Sequence, residues 1–165
     1  YGEPAEVFAE LASRMYQDLT RMERFLTAAA VAMRPNGRAL DYVNAGHNDL
    51  MIYRAATGAV ERCASADVIL GFLPTPSYTA RQLVLEPGDC VLLYTDGITE
   101  AVDQAEEMYG EERLAARLAA LAPGATAQAV LDGLVADLDQ FRGGQPPGDD
   151  VTAVVIRCTG EGNQA

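Results

Sequence analysis

The sequence is poor in basic residues and has no long apolar run, and each shortage excludes a class of protein. Lys and Arg number 12 against 24 Asp and Glu, which gives a formal net charge of -12 and a pI near 4.3. Because nucleic-acid binders collect basic side chains to neutralise phosphates, we expect no nucleic-acid partner. No apolar run approaches the roughly 20 residues that cross a bilayer, so we expect no membrane span in this chain.

Cysteine and histidine are also scarce. The three cysteines (Cys63, Cys90 and Cys158) are odd in number and widely spaced, which favours reduced core residues and a cytoplasmic location over a disulfide framework. The single histidine, His47, stands beside Asn48 at the end of a predicted strand. It is either a structural residue or a functional one, and its position alone leaves both interpretations open.

Length and apolar patterning predict one domain over residues 1–165, enough chain to bury roughly two thirds of its unfolded surface. Residues 25–63 are predicted to form an antiparallel meander of two hairpins, the first turning at Asn36-Gly37. Two consecutive helices are predicted over 110–121 and 126–141, with Thr126 as a candidate N-cap. The chain opens with a predicted amphipathic helix. Its apolar stripe, at four-residue spacing, is Val7, Leu11, Met15 and Leu19.

Two carboxylate positions stand at the ends of predicted buried strands. Asp96, with Gly97 next to it, follows the apolar run Cys90–Tyr94, and Asp149 and Asp150 precede a strand predicted over 151–158. Both strands are predicted to be central. If they are also antiparallel neighbours, the carboxylates converge and repel one another by about a few kcal/mol unless a cation intervenes. Oxygen-only ligation favours Mg²⁺ or Mn²⁺ over Zn²⁺. The alternatives are a plain Asp-Gly turn and ordinary solubilising charges.

Six short motifs, in order along the chain, resemble the PP2C-type metal-dependent serine/threonine phosphatases, in particular the bacterial branch that includes SpoIIE and RsbU. The motifs are 25–28 (Phe-Leu-Thr-Ala), 42–48 (Tyr-Val-Asn-Ala-Gly-His-Asn), Leu70-Gly71, 94–101 (Tyr-Thr-Asp-Gly-Ile-Thr-Glu-Ala), 109–114 (Tyr-Gly-Glu-Glu-Arg-Leu) and 149–152 (Asp-Asp-Val-Thr). The resemblance implies an α+β fold, in which two antiparallel β-sheets pack face to face and helices flank them. It also implies two Mn²⁺ or Mg²⁺ ions and hydrolysis of phosphoserine or phosphothreonine by a metal-activated water.

The resemblance also implies roles for particular residues. Asp96 and Asp149 correspond to metal ligands, and no catalytic residue beyond the metal ligands is implied. Asp150 corresponds to a position near the site that binds metal-bound water, and Gly97 lets the backbone pass close by. The more architectural positions near the site are His47, Asn48 and Thr152.

One departure from the family pattern is large. The acidic Gly-His-Gly signature, from which the bridging metal ligand normally comes, does not occur in the sequence. We therefore expect the chain to be the C-terminal three quarters or so of a full domain, inactive by itself, within a parent that carries an N-terminal sensor or regulatory domain. The implied substrate is a phosphorylated regulatory protein of a sigma-factor partner-switching pathway, such as an anti-sigma-factor antagonist.

Two other functions compete with this interpretation. A haloacid-dehalogenase-like phosphatase would need its nucleophilic aspartate at position 94, which holds Tyr94, and is disfavoured. A catalytically incomplete PP2C-like module that binds a partner without hydrolysis stays open. An upstream acidic Gly-His-Gly signature in the parent would favour the enzyme.

Overall fold

The computed structural model describes residues 3–35, 37–64 and 67–160. Its helices are α1 (Pro4–Arg21), α2 (Asp96–Thr99), α3 (Glu111–Leu121) and α4 (Ala127–Arg142). Its strands are β1 (Ala28–Met33), β2 (Ala39–Ala45), β3 (Leu50–Tyr53), β4 (Val60–Cys63), β5 (Arg81–Val84), β6 (Cys90–Tyr94) and β7 (Ala153–Arg157). They form two compact units, one with α1, β1, β2 and β5 and the other with the remaining elements.

The first unit is a three-stranded antiparallel sheet in the order β1-β2-β5, with α1 packed on it. The β1–β2 hairpin is closed by the Arg34 N–H, which donates to the Ala39 carbonyl at 2.8 Å. Gly37 takes a φ of +65° in this turn, a conformation that glycine adopts without steric cost. Asn36, the other half of the predicted turn, lies outside the described residues.

The helix α1 is confirmed, but only Met15 and Leu19 of the predicted stripe lie on its buried face. Val7 and Leu11 are 50% and 40% exposed, whereas Phe8 and Ala12 are buried. A helix turns every 3.6 residues, so a strict four-residue spacing drifts around the helix surface by about 40° at each step. The face that contacts the sheet alternates steps of three and four residues, which gives Phe8, Ala12, Met15 and Leu19.

The second unit is a four-stranded antiparallel sheet in the order β4-β3-β6-β7. β6 lies between two neighbours and is buried, as predicted. β7 pairs with β6 in register from Cys90–Arg157 to Tyr94–Ala153. It is the last strand of this sheet among the described residues, so its predicted central position is wrong. A run of Val and Ile suits a half-buried pleated surface at an edge as well as at the centre, and Val154 is 49% exposed.

The predicted meander over 25–63 is also wrong as a single sheet. Both hairpins form, but β1 and β2 belong to the three-stranded sheet and β3 and β4 to the four-stranded one. Gly46, with a φ of +70°, ends the run of β2 before β3 begins. Hairpin signals in a sequence specify local pairs of strands, and they do not specify which pairs share a sheet.

The helices α3 and α4 pack with the four-stranded sheet through a shared apolar core that includes Leu114, Leu118 and Leu134. Thr126 caps α4 as predicted, since its hydroxyl oxygen accepts a hydrogen bond from the Ala129 N–H at 3.1 Å. Two antiparallel sheets with accompanying helices confirm the predicted α+β class. None of the helices in the described part of the chain is long and apolar enough to span a membrane.

Candidate metal centre

The pairing of β6 with β7 brings the two predicted metal-binding segments to the same end of the four-stranded sheet. The ladder continues one step past the strands, where the Thr95 N–H donates to the Thr152 carbonyl at 3.0 Å. Asp96 leaves β6 at this end, and Asp149 enters β7 there. Residues more than fifty positions apart in the sequence thus meet beside one strand pair.

The Thr95 side chain ties the two segments together, a role that the sequence analysis missed. Its hydroxyl donates to the Asp150 carbonyl at 3.0 Å and accepts from the Thr152 N–H at 2.9 Å. One hydroxyl therefore satisfies two backbone groups of the loop that carries the acidic pair. The Thr-Asp-Gly triplet includes Thr95, but its hydrogen-bond partners can be identified only when the pairing of β6 with β7 is known.

Gly97 permits the close approach of these segments. A Cβ at this position would lie 2.4 Å from the carbonyl oxygen of Asp150 and 3.0 Å from its carbonyl carbon. Real Cβ atoms do not come so near to backbone atoms, so any other residue would push the acidic loop away. The contact is with the backbone of Asp150, and the role of Gly97 near a metal site stays a prediction.

Asp96 and Asp149 are both exposed, and each carboxylate accepts a hydrogen bond from the backbone N–H of the next residue. The Gly97 N–H donates to Oδ1 of Asp96 at 3.0 Å, and the Asp150 N–H donates to Oδ1 of Asp149 at 2.7 Å. A cavity of about 210 Å³, lined in part by Gly97, Gly148 and Asp149, lies at this end of the sheet. Glu100 and Ala101 complete its lining, to which Asp96 does not belong.

The donor set fits part of a hard-cation site. Mg²⁺ and Mn²⁺ prefer oxygen ligands, and Mg²⁺ is commonly held by one or two carboxylates together with waters. Within residues 3–35, 37–64 and 67–160, no three side chains of His, Cys, Asp or Glu come together as a metal-binding group. Asp96 and Asp149, with Asp150 adjacent in sequence, therefore lie at one end of the β6–β7 pair without a third such side chain beside them, and their role as metal ligands stays a prediction.

His47 belongs to the three-stranded unit, and its partners Asn44 and Thr27 lie in the same unit. The backbone N–H of His47 donates to Oδ1 of Asn44 at 2.7 Å, and its backbone carbonyl accepts from Nδ2 of Asn44 at 3.1 Å. Its Nδ1 lies 3.2 Å from the Thr27 hydroxyl. These contacts fix the loop after β2. Asn48, half-buried, belongs to the other unit.

Asp89, at the opposite end of β6, is a buried carboxylate that the sequence analysis did not single out. Arg54 Nη1 donates to it at 2.9 Å, and the N–H groups of Ala55 and Glu86 donate at 2.9 and 3.1 Å. Burial alone would raise the pKa of the Asp89 carboxyl, but these donors outweigh burial and lower the pKa below its ordinary value. Asp89 thereby holds the β3–β4 hairpin against the start of β6.

Tyr94, the last residue of β6, is buried and stays protonated. Burial, reinforced by the nearby carboxylates of Glu111 and Asp49, raises the pKa of its hydroxyl. A neutral, buried tyrosine stands where a haloacid-dehalogenase-like enzyme would need its nucleophilic aspartate, so position 94 cannot supply that nucleophile.

Comparison with known proteins decides the family. The family model described as stage II sporulation protein E (SpoIIE) matches residues 2–159. The chain belongs to the SpoIIE family. Its fold resembles the SiaA-PP2C domain of Pseudomonas aeruginosa, with a TM-score of 0.79 and 24% identity over 94% of this chain and 61% of that one. It also resembles the SpoIIE phosphatase domain of Bacillus subtilis from Mn-presoaked crystals, with a TM-score of 0.61 and 17% identity over 94% of this chain and 67% of that one.

Two further relatives are much longer than this chain. The RsbU and RsbW domains of a Mycobacterium tuberculosis protein match with a TM-score of 0.72 and 21% identity over 94% of this chain and 42% of that one. Protein IcfG of Synechocystis sp. is 31% identical over 117 residues, which are 71% of this chain and 18% of that protein. This SpoIIE-family chain therefore spans only part of the length of these relatives, and it shares the PP2C-like fold with the solved structures.

Proposed function

We propose that this SpoIIE-family chain belongs to a metal-dependent protein phosphatase that hydrolyses phosphoserine or phosphothreonine on a regulatory protein. The single observation that carries the proposal is the placement of Asp96 and Asp149 at the same end of the β6–β7 pair. Membership of the SpoIIE family and the likeness to solved PP2C phosphatase domains support the choice of reaction.

In this proposal Asp96 and Asp149 hold a divalent cation, Mn²⁺ or Mg²⁺, and the complete site holds two ions. When bound, the ions would lower the pKa of a coordinated water so that it can attack phosphorus. They would also supply positive charge that offsets the negative charge of the phosphate oxygens. The chain's own residues position the ligands. Gly97 allows the close approach of the two segments, Thr95 fixes the loop of Asp150, and each ligand carboxylate is held by the next N–H along the chain.

The proposed substrate is a phosphorylated protein of a sigma-factor partner-switching pathway, such as an anti-sigma-factor antagonist. Support comes from the SpoIIE- and RsbU-like motifs in the sequence and from a structural relative that carries RsbU and RsbW domains. A regulatory domain N-terminal to this chain in the parent is part of the same proposal.

A second candidate is a PP2C-like module that binds a partner without hydrolysis. The observation that favours it is that no third ligand side chain joins the two carboxylates among the described residues. Two ligands hold a hard cation weakly, because each further carboxylate adds charge and denticity.

The test is phosphate release from a phosphoserine protein in the presence of Mn²⁺, using the natural protein that contains this chain. The Asp96→Asn and Asp149→Asn variants should lose turnover while keeping the thermal stability of the unchanged protein, because both side chains are exposed and the amide is isosteric. Asp18→Asn, on an exposed face of α1, is the matched control. Full activity of both variants would end the assignment of the ligands. Inactivity of the unchanged protein on every phosphoprotein tried would favour the binding module.

A further inference from the structure

A tight turn over residues 103–107 closes on itself by hydrogen bonds. The Asp103 N–H donates to the Glu107 carbonyl at 3.1 Å, and the Glu106 N–H donates to the Asp103 carbonyl at 3.2 Å. Oδ1 of Asp103 also accepts from the N–H groups of Ala105 and Glu107, at 2.8 and 3.1 Å. Glu106 has a φ of +64°, which is unfavourable for a residue with a side chain. The turn therefore holds a defined conformation, although the proposed reaction gives it no role.

Gln104 connects this turn to the end of α4. Its Nε2 donates to the Gly143 carbonyl at 2.9 Å. Gly143 ends α4 with a φ of +56°, and a Cβ built on it would lie 3.2 Å from the same Nε2. The Gln104 side chain thus packs closely against Gly143 as well as donating a hydrogen bond to it.

The acidic loop, residues 143–150, starts at Gly143 and is exposed throughout. Gln104 holds its start, and Thr95 holds its end, because the Thr95 hydroxyl donates to the Asp150 carbonyl at 3.0 Å. Asp149 lies between these two ties. A loop that is fixed at both ends has fewer conformations than a loop fixed at one end, so each tie orders the residues between them.

Both ties come from the segment that carries Asp96. Thr95 immediately precedes Asp96, and Gln104 follows shortly after the helix α2 that Asp96 begins. The acidic loop is therefore held against the Asp96 segment itself. The two ties constrain the separation of the Asp96 and Asp149 carboxylates, rather than the position of either carboxylate alone.

We propose that Gln104 is a positioning residue for the metal site. Its hydrogen bond to Gly143 fixes the acidic loop and, through the loop, sets the Asp149 carboxylate relative to Asp96. This role rests on the proposed function, because it takes both carboxylates as ligands of a divalent cation. The turn over 103–107 then has a purpose, since its own hydrogen bonds hold Gln104 where the amide reaches Gly143.

The test compares Gln104→Met with the unchanged chain, first without metal. Methionine is about as long as glutamine and uncharged, but it cannot donate a hydrogen bond. Trypsin can cut after Arg142, directly before the acidic loop, and the mass of the released fragment 143–165 identifies that cut. Because cleavage follows the population of the locally open form, Gln104→Met should be cut there about fivefold faster. Its melting temperature should fall by about 2 °C at most, because the replaced side chain is exposed.

The second readout is the affinity for Mn²⁺, measured from the electron paramagnetic resonance signal of the free ion. Gln104→Met should weaken binding about tenfold, the size of effect that is typical when a group that orients metal ligands is lost. A tie that is only structural would change the cleavage rate and leave the affinity unchanged. The matched control is Gln128→Met, since the Gln128 amide donates to Oδ1 of Asp132 within α4 at 2.8 Å. This variant should equal the unchanged chain in both measurements.

Equal cleavage after Arg142 in Gln104→Met and the unchanged chain would overturn the proposal. Faster cleavage with unchanged Mn²⁺ affinity would overturn it too, and so would the same two effects in Gln128→Met. If the unchanged chain binds no Mn²⁺, the metal ligands of the proposed function are wrong and the positioning role falls with them. The cleavage rates would still decide, independently of metal, whether Gln104 holds the acidic loop.

Discussion

Replacing Gly97 by Ala should separate the two acidic segments, because the new Cβ would meet the backbone of Asp150. The contact would be 2.4 Å from the carbonyl oxygen and 3.0 Å from the carbonyl carbon, and a backbone carbonyl cannot rotate away as a side-chain end can. Overpacking of this kind costs about 1–3 kcal/mol. Alanine's advantage over glycine in a helix, about 1 kcal/mol at most, offsets part of this cost in the short helix α2.

We therefore expect Gly97→Ala to lower the free energy of unfolding by about 1–2 kcal/mol, or the melting temperature by roughly 2–8 °C. Gly148→Ala is the matched control, since it lies in the acidic loop and nothing stands within 4 Å of a Cβ built there. Its effect should stay within about 0.5 kcal/mol. Urea unfolding followed by circular dichroism measures both. A Gly97→Ala variant as stable as the Gly148→Ala variant would refute the close approach.

Three further substitutions test other parts of the structure. Asp89→Asn should cost about 2 kcal/mol at pH 7, because it removes the buried carboxylate that accepts charge-assisted hydrogen bonds from Arg54, Ala55 and Glu86, whereas the half-buried Arg54 keeps its ion pair with Glu61. Since the folded-state pKa of Asp89 is lowered, its contribution is fully present above the ordinary carboxyl pKa and is lost as pH falls through the folded value, so urea melts of the two proteins should begin to converge below about pH 4. Thr95→Val should cost about 1–2 kcal/mol, whereas Thr95→Ser, which keeps the hydroxyl near Asp150, should cost less; equal losses would contradict the hydrogen bonds. Thr126→Ala should cost about 1 kcal/mol of thermal stability through loss of the N-cap, and no loss would refute the cap.

Features with a local cause were predictable from the sequence. The N-cap at Thr126 and the two hairpins each depend on residues within a few positions of one another. The ends of β6 and β7 were also predictable as neighbours, because two apolar runs that end in carboxylates suggested it. In these cases the pattern and the structure share one physical origin.

Features that depend on distant residues were not predictable. The sheet that each hairpin joins, and the edge position of β7, follow from pairings that no local pattern encodes. Asp89 binds Arg54, 35 positions away, and Thr95 binds the Asp150 carbonyl, 55 positions away. In sequence, Asp89 looks like a turn residue, and only its burial beside a guanidinium reveals its structural role.

The central claim is that Asp96 and Asp149 together hold a divalent cation, and calorimetric titration of this chain with Mn²⁺ tests it most directly. With two carboxylate ligands, the chain should bind one ion weakly, with a dissociation constant on the order of 10⁻³ M. Asp96→Asn and Asp149→Asn should each abolish the heat of binding, and Asp18→Asn should leave it unchanged. Undiminished binding by both ligand variants would contradict the account, and tight binding of two ions by the unchanged chain would show that the ligand set is larger than these two carboxylates.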